Sequence, residues 1–274
     1  SIIIEEEKVI LDRIEGIKGL EVSPTIDKIR NIYGKECGIV GIGPAGENLL
    51  PVSTLFSTYP EGEPVFYCAR GSIGDVFGYK GLKAIVVKTK KHFNAPLQDE
   101  KNMKETSKAL SRMIINHPIC GKALPGLGSI TLMKMLKKGN NIDLSSVEDE
   151  KVKKSDKPSE IKINKTCSPL CVIGCLNRHA KSKEDYYSSP AESEAHAALK
   201  DAFGIEDKGY VKDFTRRCFE QGIDCIEFIF GCSLYFSLQG QKGSMKEMDK
   251  ALEEVKAMSL LGRVLGSKTT GIYP

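Results

Sequence analysis

Short apolar, β-branched runs dominate the first ninety residues, at 2–4, 38–42, 65–68 and 84–87, each bounded by glycine, proline or charge. Runs of that length and composition predict strands. One helix interrupts them. Ser23 and Pro24 open it as a cap-type residue ahead of an N1 proline, and Ile26, Ile29, Ile32 and Tyr33 then recur at helical spacing. The pattern changes after residue 93. Residues 98–116 are polar with apolar points at Met103, Leu110, Met113 and Ile114, which predicts an amphipathic helix, and 129–136 predicts another. Residues 139–165 are rich in lysine, aspartate and serine and read as a mobile charged tether. From Pro190 onward the pattern is helical, at 191–203, 210–221, 225–238 and 245–261. Gly204, Gly222, Gly240 and Gly262 stand where left-handed C-caps belong.

The fold class this predicts is α+β: a β-rich portion, 1–93, followed by a mostly helical one, 94–274. Composition adds few constraints. Forty Lys+Arg against thirty-six Asp+Glu give a net charge of +4, with 41% apolar and 28% charged residues, an ordinary globular balance. The basic residues are interleaved with acidic ones, which argues against nucleic acid as a partner. No run approaches the roughly 18 apolar residues of a membrane span. The first residues carry no basic segment ahead of an apolar one, so no signal peptide is read there and a cytoplasmic location is expected.

Nine cysteines are the anomaly. The odd number, with no secretory signal, argues against a disulfide framework. Cys37, Cys68 and Cys120 stand alone and read as small buried hydrophobes. Cys167, Cys171 and Cys175 are closely spaced, and thiolates on a loop at that spacing suit an iron–sulfur cluster or a zinc site. Cys218, Cys225 and Cys232 recur every seven residues. They read as a buried stripe of small side chains, with Cys225, beside a predicted turn, as a candidate further metal ligand. Two glycine-rich stretches complete the candidate chemistry. GPAGEN at 43–48 follows a strand and reads as a turn. The tract at 70–85 combines Gly71, Gly74, Gly78 and Gly81 with Arg70, Lys80 and Lys83, and exposed backbone N–H groups with cations hold phosphates.

GPAGEN followed by RG-x-x-G-x-x-x-G-x-K-x-L-K-A-I resembles the aldehyde ferredoxin oxidoreductase family of tungsten-bispterin enzymes. The resemblance continues in the family's order through NHPICGKALP at 116–125, CVIGC at 171–175, PAESE at 190–194 and GID at 222–224. It implies a 4Fe–4S cluster on Cys167, Cys171 and Cys175 with Cys225 as a candidate fourth ligand. A tungsten or molybdenum bispterin would lie near Arg70, Gly71, Gly74, Lys80, Lys83 and Asp224, with Glu194 as proton carrier. The implied reaction is oxidation of an aldehyde to a carboxylic acid, with electrons leaving through the cluster to ferredoxin. The alternative is a non-catalytic relative that transfers electrons or binds partners. The implied partners are ferredoxin or another subunit, with a homo-oligomer as a further option. The family's longer N-terminal β segment and C-terminal helical domain have no counterpart in this sequence. Departures also stand at Ser72 and Asp75, where the family has small residues, and at Phe219, where it has a polar pterin ligand. Asp75 sets a negative charge where a phosphate would approach.

Overall fold

The computed structural model describes residues 1–58, 65–68, 71, 73–89, 96–127, 171–175 and 191–273. Its sheet is mixed and six-stranded: β1 (Ile2–Glu5), β2 (Lys8–Leu11), β3 (Gly38–Ile42), β4 (Leu55–Thr58), β5 (Val65–Cys68) and β6 (Ala84–Lys88), in the order β2-β1-β6-β3-β4-β5. Only β1 and β6 run parallel; every other neighbouring pair is antiparallel. The four predicted strands are present. The two that the sequence pattern did not mark are β2, all of whose residues are exposed, and β4, a four-residue run entered through Pro51.

The register separates two faces. Val86 pairs with Ile3 and with Ile39, and Gly41 pairs with Phe56. Ile3, Ile39, Phe56 and Val86 are all buried, so this face carries a core. The other face holds Ile4, Val9, Leu11 and Val87, all exposed. Burial of the first set supplies the stability; each such side chain contributes about 1.5–3 kcal/mol relative to exposure.

Helix α1 (Val22–Tyr33) starts one residue before the expected cap. Ser23 therefore lies inside the first turn, and its N–H and hydroxyl both donate to the Glu220 carboxylate, at 3.0 and 2.7 Å. A carboxylate at a helix N-terminus satisfies its orphan donors and suits its dipole. Two short helices, α2 (Pro44–Glu47) and α3 (Gly74–Tyr79), follow. Next come α4 (Glu100–Asn116), a π-helical turn at Pro118–Ala123 and α5 (Leu124–Leu127). The remaining helices are α6 (Ala191–Phe203), α7 (Lys208–Glu220), α8 (Cys225–Leu238), α9 (Met245–Lys256), α10 (Leu260–Leu265) and α11 (Lys268–Ile272).

Gly204, Gly222 and Gly240 have positive φ where helices end, as expected. Gly262 does not. The helix expected over 245–261 is split instead by Met258, at φ 53°, and restarts behind the Ser259 cap, whose hydroxyl accepts from the Gly262 N–H at 2.9 Å. Gly262 sits inside α10 because a Cβ there would meet the Glu254 carbonyl oxygen at 2.0 Å.

The chain forms two compact units, which divide it differently from the change of pattern at residue 93. One unit joins Ser1–Lys90 to Glu194–Pro274; the other is Lys91–Ser193. The sheet, α6 from Glu194 onward and helices α7–α11 thus share a unit.

Candidate functional site

The GPAGEN turn, the glycine tract and the GID turn converge within the first unit. The Ala45 N–H donates to the Gln221 carbonyl at 2.9 Å, the Thr54 N–H to the Gly222 carbonyl at 2.8 Å, and the Asp224 N–H to the Val52 carbonyl at 2.9 Å. Ser53 and Ile223 form an isolated β-bridge. Glycine is required where these segments touch: a Cβ on Gly43 would fall 2.6 Å from the Gln221 carbonyl, and one on Gly222 would fall 2.8 Å from the Gly43 nitrogen. The same holds for the tract. A Cβ on Gly74 would reach Ser53 Oγ at 2.7 Å, and one on Gly78 would overlap the Gly46 carbonyl oxygen at 1.9 Å. These glycines serve close approach of backbone to backbone.

The predicted site residues take the following places. Lys83 is buried; its ammonium donates to the Leu20 carbonyl at 2.8 Å and forms an ion pair with Glu47, whose other oxygen accepts from the Gly19 N–H at 2.9 Å. Burial pulls Lys83 below the ordinary lysine range, while the hydrogen bond and charge of Glu47 act in the opposite direction. Asp224 is buried and caps α8, its carboxylate accepting from the N–H groups of Ile226 and Glu227 at 3.0 and 3.3 Å. Gly71 has φ 123° and is exposed; Lys80 is exposed at the C-cap of α3. Asp75 accepts from its neighbour, the Val76 N–H, at 2.8 Å. Glu194 is half-buried in the first turns of α6. Arg70, Ser72 and the tether at 139–165 lie outside the described residues.

Phe219, at the position of the family's polar ligand, is buried, and Tyr67 stacks on it with centroids 4.0 Å apart and planes at 12°. The Tyr67 hydroxyl is buried with no hydrogen-bond partner among the described residues, and so is Ser53 Oγ. Burial, helped by the Glu220 charge, pushes the Tyr67 phenol well above its ordinary range. An aromatic pair therefore fills the place where the pterin-binding side chain is expected.

Of the cysteines, Cys171 and Cys175 are half-buried in the second unit, with Gly174 at φ 61° between them; Cys167 lies outside the described residues. Cys225 is in the first unit, buried at the start of α8 with its thiol 3.9 Å from Thr215 Oγ1. Cys218 and Cys232 are buried beside it, and burial followed by the neighbouring thiols raises the Cys218 pKa. Gly222 breaks the helix between 218 and 225 as expected, so the sevenfold spacing spans α7 and α8. Among the described residues no group of three His, Cys, Asp or Glu side chains is arranged to hold a metal ion.

One feature lay outside the sequence reading. An open cavity of about 910 Å³ borders the tract, lined by Gly78, Gly81, Lys83 and Glu47 together with Arg13 and Lys18. Arg13 and Lys18 are exposed and lie in a connecting stretch between β2 and α1, where no motif marked them.

Residues 1–89 match the family model described as "Aldehyde ferredoxin oxidoreductase, N-terminal domain". The chain resembles the aldehyde ferredoxin oxidoreductases. The tungsten-containing aldehyde ferredoxin oxidoreductase of Pyrococcus furiosus is 28% identical over 235 residues, covering 82% of this chain and 37% of the relative. That of Thermococcus kodakarensis is 27% identical over 233 residues, with the same coverage. This chain thus spans well under half the length of the relatives it matches. A solved structure with the same fold is the active site complex BamBC of benzoyl coenzyme A reductase in complex with 1,5-dienoyl-CoA. Its TM-score is 0.68 at 19% identity, covering 98% of this chain and 44% of that one. The α+β class and the resemblance to the family are therefore shown.

Of the positions the resemblance implies for a bispterin, three are engaged within the chain itself, whereas Gly71 and Lys80 are exposed. The Lys83 ammonium is buried in an internal ion pair, the Asp224 carboxylate caps its own helix, and an aromatic stack stands at Phe219. Cys171 and Cys175, either side of a left-handed glycine, suit two ligands of a cluster.

Proposed function

We propose that this chain is the scaffold and partner-binding portion of an oxidoreductase of the aldehyde ferredoxin oxidoreductase type, complete only with further polypeptide. In the assembled protein an aldehyde and water would give a carboxylic acid, two protons and two electrons. The electrons would pass through a 4Fe–4S cluster to ferredoxin. A tungsten or molybdenum bispterin would supply the redox chemistry, held mainly by polypeptide other than the described residues. This chain would contribute Cys171 and Cys175 to the cluster and Glu194 as the carboxylate nearest the transferred proton. The observation that carries this reading is that Lys83, Asp224 and Phe219, which fall at the family's pterin-binding pieces, are all engaged in holding this chain together.

The Tyr67–Phe219 stack also favours a second reading. A relative with its pterin pocket filled by aromatic rings would keep at most the cluster and act in electron transfer or as a scaffold.

The test is metal, sulfide and pterin analysis of the chain purified without oxygen, with a visible spectrum and an aldehyde-dependent dye assay. The chain alone is expected to bind no tungsten, molybdenum or pterin. Iron and sulfide that vanish in Cys171→Ala would support the cluster assignment. Stoichiometric tungsten or molybdenum with pterin on the isolated chain would overturn the need for further polypeptide. If a co-purified larger partner brings neither pterin nor aldehyde oxidation, the second reading replaces the first.

A further inference from the structure

The connection from β2 to α1 makes two turns in quick succession, at Glu15-Gly16 and Lys18-Gly19, with both glycines left-handed at φ 64° and 77°. The second turn is pinned. The Gly19 N–H donates to Glu47, and the Leu20 carbonyl accepts from the Lys83 ammonium. The first turn has donors to spare: the N–H groups of Gly16, Ile17 and Lys18 meet no acceptor among the described residues. Ile14 and Ile17 are buried and fix this backbone to the core, while Arg13, Glu15 and Lys18 stand exposed. Successive N–H groups in a turn form a concavity that takes anions.

This loop lines the open cavity of about 910 Å³, and the charges around it are unbalanced. Arg13 and Lys18 belong to the lining. Lys28, on α1, sets its ammonium against Gly16, 2.7 Å from where a Cβ would stand. None of the three is in an ion pair among the described residues, whereas Lys83 and Glu47 neutralise each other. Glu15 is the only carboxylate of the lining left without a cation among the described residues.

We propose that this cavity binds a small phosphate ester, its phosphate group held by the N–H groups of residues 16–18 and by Arg13, Lys18 and Lys28. A carboxylate brings one charge and two oxygens. A phosphate monoester brings nearly two charges and three terminal oxygens, which matches the surplus of cations and donors. Small-molecule sites occupy roughly 300–1,000 Å³, so the cavity also has room for the organic part of the ester. The three cations lie outside the glycine tract at 70–85, and the inference is independent of the cofactor reading above.

Isothermal titration calorimetry on the full chain at low salt tests it, with phenyl phosphate, inorganic phosphate and benzoate as probes. Phenyl phosphate is expected to bind with a dissociation constant of about 1 mM or below, and more tightly than inorganic phosphate. Benzoate, with the same ring and a single charge, should bind about tenfold more weakly or not at all. Arg13→Ala, Lys18→Ala and Lys28→Ala should each weaken phenyl phosphate about threefold or more, and Glu15→Gln should tighten it about twofold. Arg13, Glu15 and Lys18 are exposed and Lys28 is half-buried, so all four variants should melt with the wild type. Benzoate binding as well as phenyl phosphate would overturn phosphate recognition, and inorganic phosphate binding as tightly as phenyl phosphate would overturn the ester. No binding at about 10 mM phenyl phosphate, or binding indifferent to Arg13→Ala and Lys18→Ala, would overturn the site itself.

Discussion

At the scale of single residues, Lys83 separates a structural role from a ligand-binding one. Its side chain is 8% exposed and that of Glu47 15%, so each depends on the other for charge compensation. Removing one partner of a buried pair costs about 3–5 kcal/mol because the other charge is stranded, whereas removing both for apolar groups is often nearly neutral. Lys83→Met should therefore lower unfolding stability by about 3 kcal/mol, the low end of that range, since Glu47 keeps the Gly19 N–H. Lys83→Met combined with Glu47→Met should come back to within about 1 kcal/mol of the wild type in urea denaturation. A phosphate-binding Lys83 would behave differently: the single change would leave stability unchanged and reduce only bound cofactor. The sequence placed a lysine beside glycines and left open what it held. The Glu47 partner lies 36 residues away, and nothing local announces it.

Among the elements, α8 shows how a residue in a family motif comes to serve the fold. Asp224 turns the chain out of the Gly222 left-handed link and caps α8, while its own N–H reaches the Val52 carbonyl. Asp224→Ala should cost about 1–2 kcal/mol through the lost cap, and Asp224→Asn much less, since an amide oxygen accepts the same N–H groups. Thermal unfolding of the two variants decides this; equal loss in both would mean that the charge, and so a cationic partner, matters more than the cap. The predicted elements were legible where the signal is local. Apolar runs bounded by glycine, proline or charge gave four strands, and glycines 204, 222 and 240 marked helix ends because only that residue enters the left-handed region cheaply. What stayed hidden depends on contacts distant in sequence. The cap of α1 comes from Glu220, 197 residues from Ser23, and β2 lacks a buried face whose alternation would reveal it. Asp224 and Lys83 were marked as candidates by their motifs, but their hydrogen-bond partners could be found only in the folded chain.

For the molecule as a whole, the β-rich portion and the C-terminal helices form one unit, although the sequence pattern reads as two consecutive blocks. The physical reason is that the loops after β3 and before β4 bond to the segments flanking α7, α8 and α10. The backbone groups of Ala45, Val52 and Thr54 bond to Gln221, Gly266, Gly222 and Asp224, and Tyr67 covers its ring with Phe219. Leu50 lies against Gly266, where a Cβ would meet its methyl carbons at 3.1 Å. Without residues beyond 193 these N–H and C=O groups would exchange their protein partners for water, each at a net cost of about 0.5–1.5 kcal/mol. These losses, with Tyr67 and Leu50 uncovered as well, take away a large part of the roughly 5–15 kcal/mol by which a domain is stable. A fragment of residues 1–93 expressed alone should therefore show no amides strongly protected from hydrogen exchange. Co-expression with residues 191–274 should restore protection to β3, β4 and β6, the central strands. A fragment 1–93 that protects those amides by itself would show that the sheet is an autonomous domain, and the helices an addition to it rather than half of its core.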